Sequence, residues 1–354
     1  VNVPDFLLKE MGKANDTHRS LAYEEMHRSI RKNAQKLLST KEEILVFASS
    51  GSGFMEACVR NLLKEDETGL FLSCGAFGNR WYKAAIANGK KADKVEVEWG
   101  TGFDADLVKK KLTEKKYPVV FIQLNETSTG VKNPLDEIGP IVEESGALLC
   151  VDAVSGMAGT LLKVDEWHID VALASVQKCF GIPPGVGIAA VSEDALAKAE
   201  KVKNRGFYFD FLKIYEKGKK DQYLTTPPIP QLRTLEVALN RIIEIGPEEF
   251  AKQHEERCQI IRNWALDHNF KIFSADGFHS QTVVTIENTE KSPLKGDPQK
   301  TQEFVDKLWD NGYRIVNGYK DLKGKTFRIA PMGWVTKEDT KQMLETATKV
   351  LKEL

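Results

Sequence analysis

Along the first two thirds of the chain, short runs of Val, Ile, Leu and Ala alternate with segments whose apolar residues recur at helical spacing. "EILVFASS" from Glu43 precedes "GFMEACVRNLLKE", "GLFLSC" precedes "GNRWYKAAIANG", "VEVEW" precedes "DADLVKKKLTEKK", and "PVVFIQL" precedes "PLDEIGPIVEESG". "ALLCVDAV", "VALASV" and "GVGIAAV" add three further apolar runs. Strands that are apolar at nearly every position are buried on both faces, and strand-helix alternation is how a parallel sheet acquires that cover. The pattern predicts an α/β fold with a mostly parallel sheet of seven strands between helical layers. Helices ending near glycine or basic residues agree with it.

From about Thr226 the texture changes. "PPIPQLRTLEVALNRIIEIG" and "PEEFAKQHEERCQIIRNWALDHN" read as two long helices, followed by "QTVVTIEN" (strand), "TQEFVDKLWDNG" (helix), "YRIVNG" and "TFRIA" (strands) and a closing helix. We therefore expect an N-terminal segment over 1–15, a large domain over 16–245 and a smaller α+β domain over 246–354. The charged stretch "KIYEKGKKDQ" is expected as a solvated loop, since it is short and carries both signs of charge.

Composition then removes whole classes of function. With 50 basic against 51 acidic residues, the net charge of −1 leaves no electrostatic footprint for nucleic acid or an anionic membrane. No run approaches the roughly 18 apolar residues needed to span a bilayer, and the opening "VNVPDFLLKEMGK" lacks the apolar centre of a signal peptide. The expected location is the cytoplasm. The 5 cysteines are widely spaced, with no Cys-x-x-Cys pair and no histidine at ligand spacing, so neither a disulfide framework nor a metal site is expected.

Chemistry concentrates at the ends of the apolar runs, where open parallel sheets bind ligands. "SSGSGFMEA" puts small residues between a strand and a helix, leaving backbone amides free for an anion at Ser50, Gly51, Ser52 and Gly53. Asp152 ends "LLCVD", and Lys178 follows the next strand in "SVQKCFGIPPG". Charges at such buried places are costly unless paired or used. "NETSTG" closes the strand before Asp152 with hydroxyls and an amide. Pyridoxal phosphate has matching needs: a lysine for covalent attachment, a carboxylate for its pyridine nitrogen and a helix N-terminus for its phosphate. Phe77, in "CGAFGNRW", supplies an aromatic face for the ring.

At this point the residues carry a resemblance. "SSGSGFMEA", "GAFGNRW", "NETSTG", "VDAVSGMAG", "SVQKCFGIPPG", "YLTTPP" and "KGKTFRIAPMG" occur in the order of the class V, fold-type I pyridoxal-phosphate aminotransferases of the alanine/serine-glyoxylate (serine-pyruvate) group. The resemblance implies that Lys178 binds the cofactor covalently, Asp152 partners its ring nitrogen and Phe77 stacks on the ring. It further implies that Val154 packs on the other ring face, that Gln177 joins Ser50 to Gly53 at the phosphate, and that Ser128 lies near the ring's polar edge. The family is a homodimer with shared active sites, so Tyr223 and Thr226 would reach the partner's phosphate, and Arg328 would bind the substrate carboxylate. Members of the group usually begin with a Pro-Gly-Pro-like segment over the substrate; this chain starts at "VNVP", just inside where that segment would end.

The implied activity is transfer of an amino group from serine or alanine to glyoxylate or pyruvate, with Lys178 moving the proton. Rival readings are an aspartate or 2-aminoethylphosphonate transaminase, which differ at the side-chain end of the pocket, and a desulfurase-like lyase. The last needs a mobile cysteine over the cofactor, and the late Cys258 falls inside an amphipathic helix. A non-catalytic phosphate-binding module built on "SSGSGF" would be colourless where the enzyme would be yellow.

Overall fold

The computed structural model describes residues 1–354. Its strands are β1 (Glu43–Phe47), β2 (Thr68–Ser73), β3 (Lys91–Glu96), β4 (Val119–Gln123), the short hairpin β5 (Asn125–Glu126) and β6 (Val131–Lys132), then β7 (Leu148–Asp152), β8 (Val171–Ser175) and β9 (Gly187–Val191). Seven of them form one sheet in the order β1-β9-β8-β7-β4-β2-β3. Pairings from β8 to β3 are parallel, while β9 runs antiparallel to both β8 and β1. A parallel crossover needs a dozen or more residues and usually a helix. The chain between Ser175 and Gly187 has neither, and turns back through Gly181 (φ 67°) and Gly185 (φ 134°), left-handed backbone that suits glycine.

The consequence for function is positional. Six strands point the same way, so Ser73, Gln123, Asp152 and Ser175 end on one edge of the sheet. Beneath that edge lies a continuous core of 71 buried residues. A separate cluster of 19 buried residues, including Trp264, Ile286, Phe304 and Phe327, underlies the antiparallel sheet β10 (Lys271–Ile272), β11 (Val284–Glu287), β12 (Val316–Asn317) and β13 (Thr326–Ile329), ordered β10-β11-β13-β12.

Two segments differ from the sequence expectation. The strand expected at "VEVEW" lies earlier, at Lys91–Glu96, where Thr68 to Ser73 pair with it residue for residue. It is an edge strand with half its residues exposed, so lysines and acids are tolerated where an interior strand would exclude them. The charged stretch expected as a loop begins as a helix, Phe211–Gly218, capped by Asp210, whose carboxylate accepts from the Leu212 amide; it buries Phe211 and Ile214 and turns its lysines outward. No helix is long and apolar enough to cross a membrane.

Candidate active site

The helix Gly51–Leu62 starts where β1 ends. Ser50 is its N-cap, the hydroxyl accepting from the Gly53 amide at 3.4 Å, and the first amides of any helix lack intrahelical partners. This N-terminus presses against the ends of two other strands. A Cβ added to Gly51 would sit 2.6 Å from Val154 Cγ2 and 3.4 Å from Ser175 Oγ. Glycine is what allows the approach. Ser175 is fully buried and its hydroxyl has no partner within the chain, and the Oε1 of Gln177 is likewise buried and unpartnered. Buried polar atoms are almost always satisfied, so the Ser175 hydroxyl, orphaned beside a helix N-terminus, marks a place for a polar ligand.

Asp152 ends β7 at 4% exposure. Its Oδ1 accepts the Val154 amide at 2.9 Å, and no arginine or lysine pairs with it. Burial pushes its pKa up to about 7; the Glu126 carboxylate adds to the rise, while Arg80 and Lys178 oppose it. Lys178, half-buried just past β8, is driven the other way: burial lowers its pKa, Arg328 adds to the lowering, and Cys179 and Asp152 counter it. Burial thus disfavours the charged form of both groups, and strand ends that perturb two titratable groups in this way are candidates for a catalytic site.

Sequence reasoning passed over Glu126. It is fully buried in the β5 hairpin, where Oε2 accepts the amides of Phe77 (2.9 Å) and Gly78 (3.1 Å), and Oε1 accepts the amide (3.0 Å) and hydroxyl (2.6 Å) of Ser128. Gly75, at the N-cap of the helix Ala76–Ala87, has no side chain to cap it. Glu126 therefore does so from another element and fixes the backbone of Phe77. The Ser128 hydroxyl also accepts the Ala76 amide at 3.0 Å, so this residue, expected at the polar edge of a cofactor ring, is occupied within the chain. The half-exposed hydroxyl of the hairpin is Thr127, bonded to Ser155 Oγ at 2.8 Å.

Two more residues went unremarked. Tyr319 stacks on Phe77, ring centres 5.6 Å apart and 19° between planes, and Arg80 lies over the same phenyl ring at 4.6 Å. Arg80 donates to Ser52 Oγ (3.1 Å) and to the Tyr319 hydroxyl (2.9 Å). Arg328, on β13, reaches across to the carbonyls of Thr127 (3.2 Å) and Asn317 (3.3 Å), its buried Nε without a partner. Lys178, Asp152, Gln177, Val154, Phe77, Arg328 and Ser50 to Gly53 thus gather around one edge of the large sheet.

Tyr223 and Thr226 do not join that gathering. Tyr223 is buried beside His27, ring centres 6.5 Å apart, with an unpartnered hydroxyl, and Thr226 is exposed. All five cysteines are buried as free thiols, Cys258 among them in the core of the smaller lobe. A cavity of about 630 Å³ lies elsewhere, lined by Trp99 and His279 among others. There Ser274 Oγ is 2.8 Å from His279 Nδ1, but Asp276, 3.5 Å across the ring, is fully exposed and cannot orient the imidazole as a buried triad carboxylate does.

A parallel sheet whose strand ends bring a depressed lysine, a buried aspartate, a stacking aromatic and a helix N-terminus together defines a fold-type I pyridoxal-phosphate transferase. The model of the class-V aminotransferases matches residues 3–273. An uncharacterized aminotransferase of Methanocaldococcus jannaschii is 32% identical, covering 99% of this chain and 91% of its own. A serine–glyoxylate aminotransferase of Methylorubrum extorquens is 29% identical over 94% of this chain and 84% of its own. The crystal structure of an alanine–glyoxylate aminotransferase from Nostoc sp. has the same fold, with a TM-score of 0.92 at 23% identity over 99% of this chain and 93% of that one. The chain belongs to the class-V aminotransferase family. It is a pyridoxal-phosphate-dependent transaminase acting on amino acids and 2-oxo acids.

Proposed function

We propose that the protein transfers the amino group of a small amino acid, serine or alanine, to glyoxylate or pyruvate, with Lys178 anchoring the cofactor and shuttling the substrate proton. The observation that carries this reading is the convergence of Lys178, just past β8, and the buried Asp152, at the end of β7, on the same edge of the sheet as the N-terminus of the helix Gly51–Leu62. When bound, pyridoxal phosphate supplies an electron sink for the charge left as the substrate Cα loses its proton. With the cofactor bound, Lys178, its amine kept toward the neutral form by burial, would take that proton from Cα and deliver it two atoms away, across the substrate nitrogen. Asp152 would hold the pyridine nitrogen of the cofactor, and a positive charge beside it would draw the raised pKa of Asp152 down again.

Phe77 and Val154 hold the ring plane, and Ser50 to Gly53 with Gln177 receive the phosphate. The unpartnered Ser175 hydroxyl, free to donate, supports that reading. Arg328 binds the α-carboxylate; its free Nε and a planar fork suited to carboxylates support the role. Thr127, the half-exposed hydroxyl, takes the place at the ring's polar edge expected of Ser128. Tyr223 and Thr226 serve the partner's site in a homodimer, a reading supported by the exposure of Thr226. The large and small domains meet at Gly246, a left-handed residue (φ 96°) between two long helices. Five free thiols support a reducing, cytoplasmic setting.

Purified protein assayed against a panel of amino donors, with glyoxylate, pyruvate and 2-oxoglutarate as acceptors, tests the substrate reading. Activity with serine or alanine and glyoxylate is expected. Turnover with 2-oxoglutarate as sole acceptor, or aspartate as sole donor, would contradict it.

A further inference from the structure

We infer that Arg80 supplies the positive charge that holds the cofactor phosphate. The inference rests on the reading of Ser50 to Gly53 as the phosphate cradle. Every other residue assigned to that cradle is neutral: Ser50, Gly51, Ser52, Gly53, Gln177, Tyr223 and Thr226. A phosphate monoester carries a charge of about −1.5 to −2 near neutral pH, whereas a helix N-terminus offers only about half a positive charge. A site made of these groups alone would leave most of the anion uncompensated.

Arg80 is the cation the structure brings to this cradle. One Nη donates to the side chain of Ser52, inside the cradle, at 3.1 Å. The other donates to the Tyr319 hydroxyl at 2.9 Å, and the guanidinium carbon lies over the Phe77 ring, 4.6 Å from its centre. These contacts fix the arginine at both ends without neutralising it, since no carboxylate pairs with Arg80 and it remains half-exposed. Its place follows from spacing: Arg80 is three residues after Phe77 on one helix, so the two side chains share a face. The fully buried, unpartnered hydroxyl of Ser175, beside Gly51, marks the same spot independently as one awaiting a polar ligand. An arginine committed to phosphate is also withdrawn from reading a second acid group on the substrate, which agrees with a small amino donor.

The test compares pyridoxal 5'-phosphate with pyridoxal, which lacks the phosphate, as ligands of the full chain stripped of cofactor, for wild type, Arg80→Gln and Arg80→Lys. Wild type is expected to prefer the phosphorylated form. Arg80→Gln is expected to lose about 10- to 100-fold in affinity for it while binding pyridoxal as before, and Arg80→Lys to recover part of the loss. Inorganic phosphate should compete with the cofactor in wild type and much less in Arg80→Gln. Unchanged pyridoxal binding shows in the same titration that the variant is folded. If Arg80→Gln keeps the full preference for the phosphorylated form, or weakens both ligands equally, the inference is overturned while the cradle stands. If wild type itself shows no preference, the cradle reading fails and the inference with it.

Discussion

Asp152 and Lys178 are the residues on which the proposed chemistry turns, and both stand out in the sequence because a charge at the end of an apolar run is conspicuous. The raised pKa of Asp152 has a thermodynamic consequence. In the stripped protein the folded chain keeps this proton up to about pH 7, whereas the unfolded chain releases it near the ordinary aspartate value of 3.8. The folded state therefore binds more protons between those values, and stability from this group falls as pH rises through that window and levels off above it. Asp152→Asn removes the effect. Its melting temperature relative to stripped wild type is expected to rise from about pH 5 to about pH 8, and a difference independent of pH would contradict the assignment. For Arg328→Gln, donor KM is expected to rise about 10- to 100-fold with a smaller change in kcat; an unaltered KM in steady-state assays would remove Arg328 from the substrate site. Glu126, Arg80 and Tyr319 were not legible, for a common reason. Their contacts join residues 49 and 239 positions apart, and nothing local in the chain announces them.

Elements were more legible than their ends. Seven apolar runs became seven strands because burial on both faces writes itself into consecutive residues, while the edge strand β3, half exposed, was displaced for lack of that signal. The two-residue strands β5 and β6 are too short to show any period. At this scale the helix Ala76–Ala87 is the vulnerable part, because its N-terminus is capped from outside by Glu126. Both acceptor oxygens of Glu126 face donors, so Glu126→Gln must turn an N–H toward another N–H or abandon it. The expected loss is about 1 to 3 kcal/mol, read by chemical denaturation, together with weaker cofactor binding as Phe77 loosens; full stability would argue that the cap is idle. Gly51→Ala puts a methyl 2.6 Å from Val154 Cγ2, which forces the helix N-terminus off the strand ends. The variant should fold yet bind cofactor less tightly in a spectrophotometric titration, and wild-type affinity would show that the close approach has no bearing on the site.

For the molecule as a whole, fold class and the order of elements followed from the sequence, but the order of strands in space did not. The reversal of β9 comes from a connection too short for a crossover, and the spread of site residues over both lobes follows from β13 carrying Arg328 to the β5 hairpin. Sedimentation is expected to show a dimer, and mixing an inactive Lys178→Ala chain with an inactive Thr226/Tyr223 double variant should restore activity in mixed dimers; a fully active monomer would dismiss the shared site. Covalent attachment of the cofactor to Lys178 is read most directly by reducing the yellow protein with borohydride and mapping its peptides. The account predicts bleaching and a single pyridoxyl group on the Nζ of Lys178. A label on any other residue, or none at all on an active protein, would contradict it.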